Sequence, residues 1–439
     1  MSKAQGWGMF PVVEGEIVPV RSRDEVVRAV AEAAAGSAGP VVPRGLGRSY
    51  GDSSLGERML DMTGLDAFVA FDEQSGSLSV EAGVSLATIL GALVPRGWFL
   101  PVTPGTRFVT VGGAIASDIH GKNHHRDGSF SDHVTSLRLL TGTGEVLEVS
   151  RTSHPELFHA TCGGMGLTGV ILEATFTMLP ISSRNVDEVV VKAPDLDAAL
   201  ETFEAHPDTT YSVAWIDLIA SGPALGRSLV MLGEHATDGD LDVRLAEPIA
   251  TVPPIPLSPL NKASVTAFNA LYYHRVRQPV LRHTVPFEPY FYPLDKAAEW
   301  NRLYGRRGLI QYQFVIPYAD GAGLLREIVE RIAAAGMASP LAVLKVFGEG
   351  NQNHLSFPMP GYTLALDFKA TPRALALADE LDRLVVAAGG RHYLTKDSRM
   401  SRETFRAGYP RLDEFEAVRE RYGAIGRFGS AQSRRLGLR

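Results

Sequence analysis

The 439-residue sequence predicts an α+β fold in two domains, the second built on an antiparallel sheet. Three observations predict it. Short strand and helix patterns alternate without a repeat up to residue 183. Strand, helix, strand, strand and helix signals follow one another between Leu309 and Ala388, an order that resembles a split βαβ arrangement. Two glycine-rich segments, Arg44–Asp52 and Pro104–His125, each follow a strand-like stretch. The length suits two or three domains, and an apolar fraction of 45% supplies packed cores.

Ser22-Arg-Asp-Glu25 is a capping box before Val26, Val27, Val30 and Ala31, and Gly36 ends that helix. Pro40-Val-Val-Pro43 is a short strand leading into the first glycine-rich segment. Residues 77–83 alternate as a strand, and Leu86–Leu93 reads as a helix. Leu137–Leu140 and Val146–Val149 form a hairpin around Gly142-Thr-Gly144, and Leu167–Met178 is a long strand. These elements make a first domain over residues 1–183. The second, residues 184–390, has strands at Leu309–Ile316, Leu341–Phe347 and Tyr362–Phe368 and helices at Gly321–Ala335 and Pro372–Ala388. Between them Thr251–Tyr292 shows no clear period and is rich in Pro, Tyr and Phe, with Lys262, Arg275, Arg277 and Arg282. Long irregular stretches inside a domain are usually functional or disordered. Thr251–Arg282 is therefore expected to be a mobile, membrane-facing gate: its prolines disfavour one regular element, and its aromatic and basic side chains suit a headgroup region.

A net charge of −6, with both signs interspersed, excludes a general nucleic-acid binder. Cys162 stands alone, so an intramolecular disulfide and a cysteine metal cluster are excluded; with no basic neighbour in sequence it reads as a small packed residue. Met1–Gly8 lacks the apolar core of a signal peptide, and no run of about 18 apolar residues occurs. A cytoplasmic or peripheral-membrane location is expected, with the cell envelope also open.

Glycine lets a backbone approach a ligand closely, and successive N–H groups in such turns form concave anion sites. Two such segments suggest a long ligand bearing a diphosphate. His120, His124, His125 and His133 lie close together, but Gly121 and the lack of a carboxylate ligand motif argue against zinc. A histidine here suits acid–base or orienting work instead.

In these residues the chain resembles the vanillyl-alcohol-oxidase-type flavoproteins, and within them the flavoprotein subunits of decaprenylphosphoryl-β-D-ribose 2′-epimerases. The likeness rests on Gly45–Asp52, on Pro104–His125 with His120-Gly-Lys-Asn-His-His125 its most specific part, and on Tyr393-Leu-Thr-Lys-Asp-Ser-Arg399. It extends through Gly6-Trp7-Gly8, Ala214-Trp215-Ile216-Asp217, Gln311-Tyr312-Gln313-Phe314 and Leu355-Ser356-Phe357-Pro358 over nearly the whole chain. It implies a two-domain FAD-binding fold in which residues 391–439 return to the FAD domain and bring Tyr393 and Lys396 to the flavin. One wall of the FAD site would be Arg44, Gly45, Leu46, Gly47, Arg48, Ser49, Tyr50, Gly51 and Asp52. The other would be Pro104, Gly105, Thr106, Gly112, Gly113, Ile115, Ser117, Ile119 and His120, with Val170 toward the adenine. Lys122, Trp215, Gln311, Gln313, Lys345, Thr363 and Ala365 would contact substrate. Thr363 and Ala365 depart from the family's mycobacterial members, which carry asparagine and cysteine there. In related sugar and alditol oxidases a Gly-x-Gly-His-Ser loop links the flavin through its histidine. Arg48 holds that place, and a guanidinium is a poor nucleophile, so FAD is expected to be non-covalent.

The resemblance implies oxidation of the C2′ hydroxyl of decaprenylphosphoryl ribose to the 2′-keto sugar. His120 or Lys396 would take the hydroxyl proton, and the Lys396 ammonium would stabilise charge developing on the flavin. A separate NAD(P)H-dependent ketoreductase subunit is the expected partner, completing epimerisation to arabinose for cell-wall arabinan, because no Gly-x-Gly-x-x-Gly follows a strand here. Two other readings compete: a soluble alditol or aldonolactone oxidase using oxygen, and a redox-inactive protein that binds lipid-phosphate sugars. Arg48 argues against covalent forms of the first; His120 and Lys396 argue against the second.

Overall fold

The computed structural model describes residues 2–36, 39–337 and 339–438. The first helix, Arg23–Ala34, begins where the Ser22 side chain accepts the Glu25 N–H, and it buries Val26, Ala29, Val30 and Ala33. It covers a four-stranded sheet ordered Ser2–Gln5, Val12–Pro19, Arg58–Asp61 and Val41–Arg44. A five-stranded sheet follows, ordered Phe68–Asp72, Ser77–Glu81, Gly169–Thr177, Val134–Thr141 and Val146–Val149. The helix Leu86–Leu93, capped by the Ser85 side chain, lays Leu86, Ile89, Leu90 and Leu93 into the core behind this sheet.

The second unit is an eight-stranded antiparallel sheet. Its order is Val280–Pro286, Asn185–Ala193, Ser228–His235, Tyr211–Ile216, Ala342–Phe347, Gly361–Lys369, Leu309–Pro317 and Arg391–His392. Alternation along each strand gives it two faces. Ala214, Ile216, Val230, Leu232, Phe314, Leu344 and Leu364 pack against the helices Leu196–Ala205, Gly321–Ala335 and Pro372–Ala387. Those helices form because apolar residues recur at helical spacing, Leu325, Ile328, Val329 and Ile332 in one case. Gly336, at φ +61°, ends that helix. The other face of the sheet looks toward the first unit.

The chain then crosses back. Arg391–His392 pairs with the strand Leu309–Pro317, and residues from Phe405 to Leu436 pack into the same core as Leu78–Met178. The Val41 N–H donates to the Arg427 carbonyl, and the Arg435 guanidinium bridges Asp52 and Asp397 at 2.7 and 2.8 Å.

The stretch expected to lack regular structure is mostly regular. Lys262–His274 is a helix and Val280–Pro286 is the edge strand of the large sheet, paired with Asn185–Val191. Pro253, Pro254, Pro256 and Pro259 all precede Asn261, whose side chain accepts the Ala263 and Ser264 N–H groups and starts the helix beyond their reach. Val265, Asn269 and Tyr273 face inward at i, i+4 and i+8, and Asn269 Nδ2 donates to Asp217 Oδ1 at 2.7 Å. A buried asparagine in the apolar stripe hid the period.

Candidate active site

A cavity of about 1070 Å³ lies between the glycine-rich segments and the inner face of the large sheet. The first segment leaves the strand Val41–Arg44 with Gly47 at φ +65°, a conformation that favours glycine. Gly45 is held against the Thr110 side chain, where a Cβ would collide. Gly105 lines the cavity, and a Cβ there would meet nothing within 4 Å, so its missing side chain leaves room for a ligand. Arg44, Gly45, Leu46, Gly47, Arg48, Ser49 and Tyr50 line one wall; Pro104, Gly105, Thr106, Gly112, Gly113, Ser117, Ile119 and His120 line the opposite one. Trp7 and Phe108 flank the Arg48 guanidinium, which stacks 3.9 Å from the Trp7 ring, and Arg48 Nε has no hydrogen-bond partner among the described residues.

Several expected positions stand outside the wall. Gly51 packs on the Asp397 carbonyl, where a Cβ would collide, so its close approach is to the returning chain and not to a ligand. The Asp52 carboxylate pairs with Arg435. Ile115 and Val170 point into apolar cores, while Gly169 and Ile171, on the face of that strand opposite Val170, line the cavity. Thr363 sits behind Gln313: its hydroxyl donates to the Phe314 carbonyl at 2.8 Å and accepts from Gln313 Nε2 at 3.4 Å.

The sheet contributes Gln311, Gln313, Lys345 and Ala365, with Trp215 and Val343 beside them. His120 is buried among Phe347, Phe357 and Tyr393. Its Nδ1 is 2.9 Å from Lys345 Nζ and its Nε2 is 3.2 Å from Gln313 Nε2. Burial, then the nearby Lys345 charge, pushes His120 well below the usual imidazole range, so the ring is neutral. Lys345 is pulled down to about 7, by burial first and then by Lys396 and Lys122. Lys122 is also pulled to about 7 by burial; its Nζ donates to the Tyr290 carbonyl at 2.6 Å and lies 3.7 Å from that ring's centroid. His124 and His125 support rather than line this centre: His124 packs on Phe347, and His125 Nε2 is 2.7 Å from the Thr209 carbonyl. The buried Cys162 thiol lies in the core, pushed up by desolvation.

Tyr393 and Lys396 enter from the returning segment. The Tyr393 hydroxyl donates to the Ser117 carbonyl at 2.8 Å, and the Tyr50 N–H donates to the Thr395 carbonyl, fastening this segment to both glycine-rich segments. Lys396 Nζ stands 4.1 Å from the Tyr50 ring centroid. Its counter-charge is Asp367, a residue that sequence reasoning missed. Asp367 is buried on the cavity wall, its Oδ1 accepts from Gln311 Nε2 at 2.6 Å, and its Oδ2 has no hydrogen-bond partner among the described residues. Burial raises the Asp367 carboxyl and lowers the Lys396 ammonium, while each charge opposes the shift of the other. The signal was available: Asp367 follows Ala365 by two on one strand and so shares its face.

Comparison with known proteins agrees with this geometry. A family model described as an FAD binding domain matches residues 16–150. Decaprenylphosphoryl-beta-D-ribose oxidase of Mycolicibacterium smegmatis is 40% identical over 451 residues, covering 99% of this chain and 97% of that protein. The chain belongs to the decaprenylphosphoryl-β-D-ribose oxidase family. It is an FAD-dependent oxidoreductase of the vanillyl-alcohol-oxidase type. A shorter, uncharacterised Streptomyces coelicolor protein is 37% identical over 370 residues, covering 81% of this chain and 100% of that protein. L-gulonolactone oxidase 5 of Arabidopsis thaliana matches more narrowly, 30% identical over 32% of this chain and 25% of that protein. Likeness to the oxidase family thus spans the whole chain, whereas likeness to the lactone oxidase covers about a third of it. The cavity fits FAD: its lining joins the glycines of both segments, Met62 and Ala82 with His120 and Lys396, and a stacked arginine stands where a linking histidine would.

Proposed function

We propose that the protein oxidises the C2′ hydroxyl of decaprenylphosphoryl-β-D-ribose to the 2′-keto sugar, with FAD held non-covalently. The observation that carries this reading is the union, in one cavity, of the glycine-lined walls with His120, Lys345, Lys396 and Asp367. FAD, when bound, supplies the two-electron acceptor for the C2′ hydride. The chain supplies the rest. Gln311 and Gln313 offer hydrogen bonds to sugar hydroxyls. With Lys345 neutral, the His120 Nδ1–H donates to Lys345 Nζ, and Nε2 accepts from Gln313 Nε2. In the complex the substrate hydroxyl replaces Gln313 as that donor. The proton taken at Nε2 is matched by release of the Nδ1 proton to Lys345. Lys396, kept charged by Asp367, faces the negative charge that accompanies hydride arrival.

The other partners belong to the same reading: a separate NAD(P)H-dependent ketoreductase that consumes the ketone, and peripheral contact with a lipid surface. Among the described residues no helix is long and apolar enough to cross a membrane. Ile249, Phe268 and Leu271 are 84%, 44% and 75% exposed beside the cavity-lining Pro248 and Tyr272, which supports such contact. The test is anaerobic mixing with prenylphosphoryl ribose, alditols and aldonolactones in turn. Bleaching of the flavin by the first alone is expected; bleaching by a free alditol or lactone and not by the lipid sugar overturns it. Acid precipitation should leave the flavin in the supernatant.

A further inference from the structure

The inner face of the large sheet is divided. Its central strands carry Gln311, Gln313, Lys345 and Asp367; the strands beyond carry an apolar row, bordered two residues along by the Glu188–His283 pair, in which Glu188 Oε2 and His283 Nε2 are 2.7 Å apart. Because Ala214 pairs with Leu344, the next cavity-side residues, Val213 and Lys345, are neighbours across the sheet. Val213 pairs with Met231, Met231 with Val190, and Val190 with Leu281 on the edge strand. All of them line the cavity. The row therefore runs outward from Lys345 over four strand-to-strand steps, about 19 Å at ordinary strand spacing. Tyr272 and Val276 close one side of it, packed on Val190, Met231 and Leu281. Tyr290 closes the other side, lying over Gly233, where a Cβ would collide with its hydroxyl. At the inner end stands Lys122, whose Nζ donates to the Tyr290 carbonyl. At the outer end the exposed Val280 precedes Leu281.

We propose that this groove is the track of the substrate's prenyl chain, with the phosphate received by Lys122 and the chain leaving the protein over the edge strand at Leu281. The assignment rests on the oxidase reading and names the part of the substrate that reading leaves unplaced. Charge complementarity selects the occupant: Lys122 at the inner end, which a bound phosphate would hold protonated, and about 19 Å of apolar wall suit a single-chain lipid phosphate. The groove holds only the first isoprenoid units; a decaprenyl chain continues into whatever apolar phase lies beyond Val280.

Calorimetry on the FAD-loaded protein with prenyl phosphates of increasing length tests this. Affinity should rise at least tenfold from dimethylallyl to farnesyl phosphate and level off for longer chains, and farnesol should bind at least tenfold more weakly than farnesyl phosphate. Met231→Trp and Leu281→Trp, two half-buried positions on separate strands, should each remove the rise with chain length. Affinity independent of chain length, or a rise unaltered in both variants, overturns the groove. Flavin bleaching is read separately. Chain-length-dependent binding without bleaching by prenylphosphoryl ribose sinks the oxidase reading alone; bleaching with length-independent affinity sinks the groove alone.

Discussion

Lys345 places a proton acceptor behind His120, and its burial decides the pH at which the pair works. A lysine drawn from its usual value to about 7 is an ammonium below that pH and an amine above it. The rate of flavin reduction should therefore rise with pH through about 7. Lys345→Met should abolish that limb and lower the rate about 10²-fold, a typical worth for a positioned base. A limb unchanged in the variant would take Lys345 out of the relay. The same variant should be the more stable protein at pH 7.5, by on the order of 1 kcal/mol, because it replaces a buried ionisable group with a packed apolar one; thermal melting reads this. Lys396→Ala should slow flavin reduction by about 10²-fold, about 3 kcal/mol, while FAD remains bound, since a contact made to developing charge is lost. An undiminished single-turnover rate would remove Lys396 from the chemistry. Asp367 is what keeps that lysine charged: beside an Asn in its place the ammonium would be lost at a lower pH.

The helix Lys262–His274 and the edge strand Val280–Pro286 are the elements most remote from the sequence expectation. An irregular gate was expected there, and the chain instead builds a wall. Asn261 is the hinge of this difference. Asn261→Ala removes the acceptor for the Ala263 and Ser264 N–H groups and should cost about 1 kcal/mol locally. Hydrogen exchange should rise over residues 262–274 while the global melting temperature stays nearly fixed; exchange confined to its wild-type level would show that packing of Val265 and Tyr273 alone holds the helix. The strands Asn185–Ala193, Tyr211–Ile216 and Ser228–His235 were not anticipated either; where elements were expected, as at Leu86–Leu93 and Gly321–Ala335, the structure agrees, because these helices show a clear apolar face and, at Ser85 and Gly336, a local start or stop signal.

The whole molecule is tied together by its last segment. Tyr393–Arg399 runs between the two glycine-rich segments and the large sheet, so Lys396 reaches Asp367 and Tyr50 from the far end of the chain. Phe268, Tyr272 and Arg275 line the cavity beside the outer strands, with the exposed Leu271 on the same helix, Arg277 just after it and Arg282 on the edge strand. Replacing the three arginines with Ser should weaken turnover of prenyl-linked substrate on anionic vesicles, by up to about 10²-fold at low salt, since about 1 kcal/mol per basic residue near such a surface sums to about 3 kcal/mol. Turnover of a short-chain analogue in solution should fall less. Equal losses in both assays would count against a membrane-facing role.

By itself the sequence determined the local elements, the glycine-rich walls and the set of polar residues that meet in the cavity, because periodicity, caps and backbone-permissive glycines act over a few residues. It did not determine which members of each segment face inward. Gly51, Asp52, Ile115, Val170 and Thr363 share their segments with lining residues, yet they turn toward the returning chain, the cores or Gln313. It also left Asp367 unmarked and the row from Val213 to Leu281 invisible, since that row is assembled from four strands spread over residues 185–286 whose register only the folded sheet sets. Pairing across a sheet is a long-range choice made by burial and packing over the whole molecule, and no local pattern encodes it.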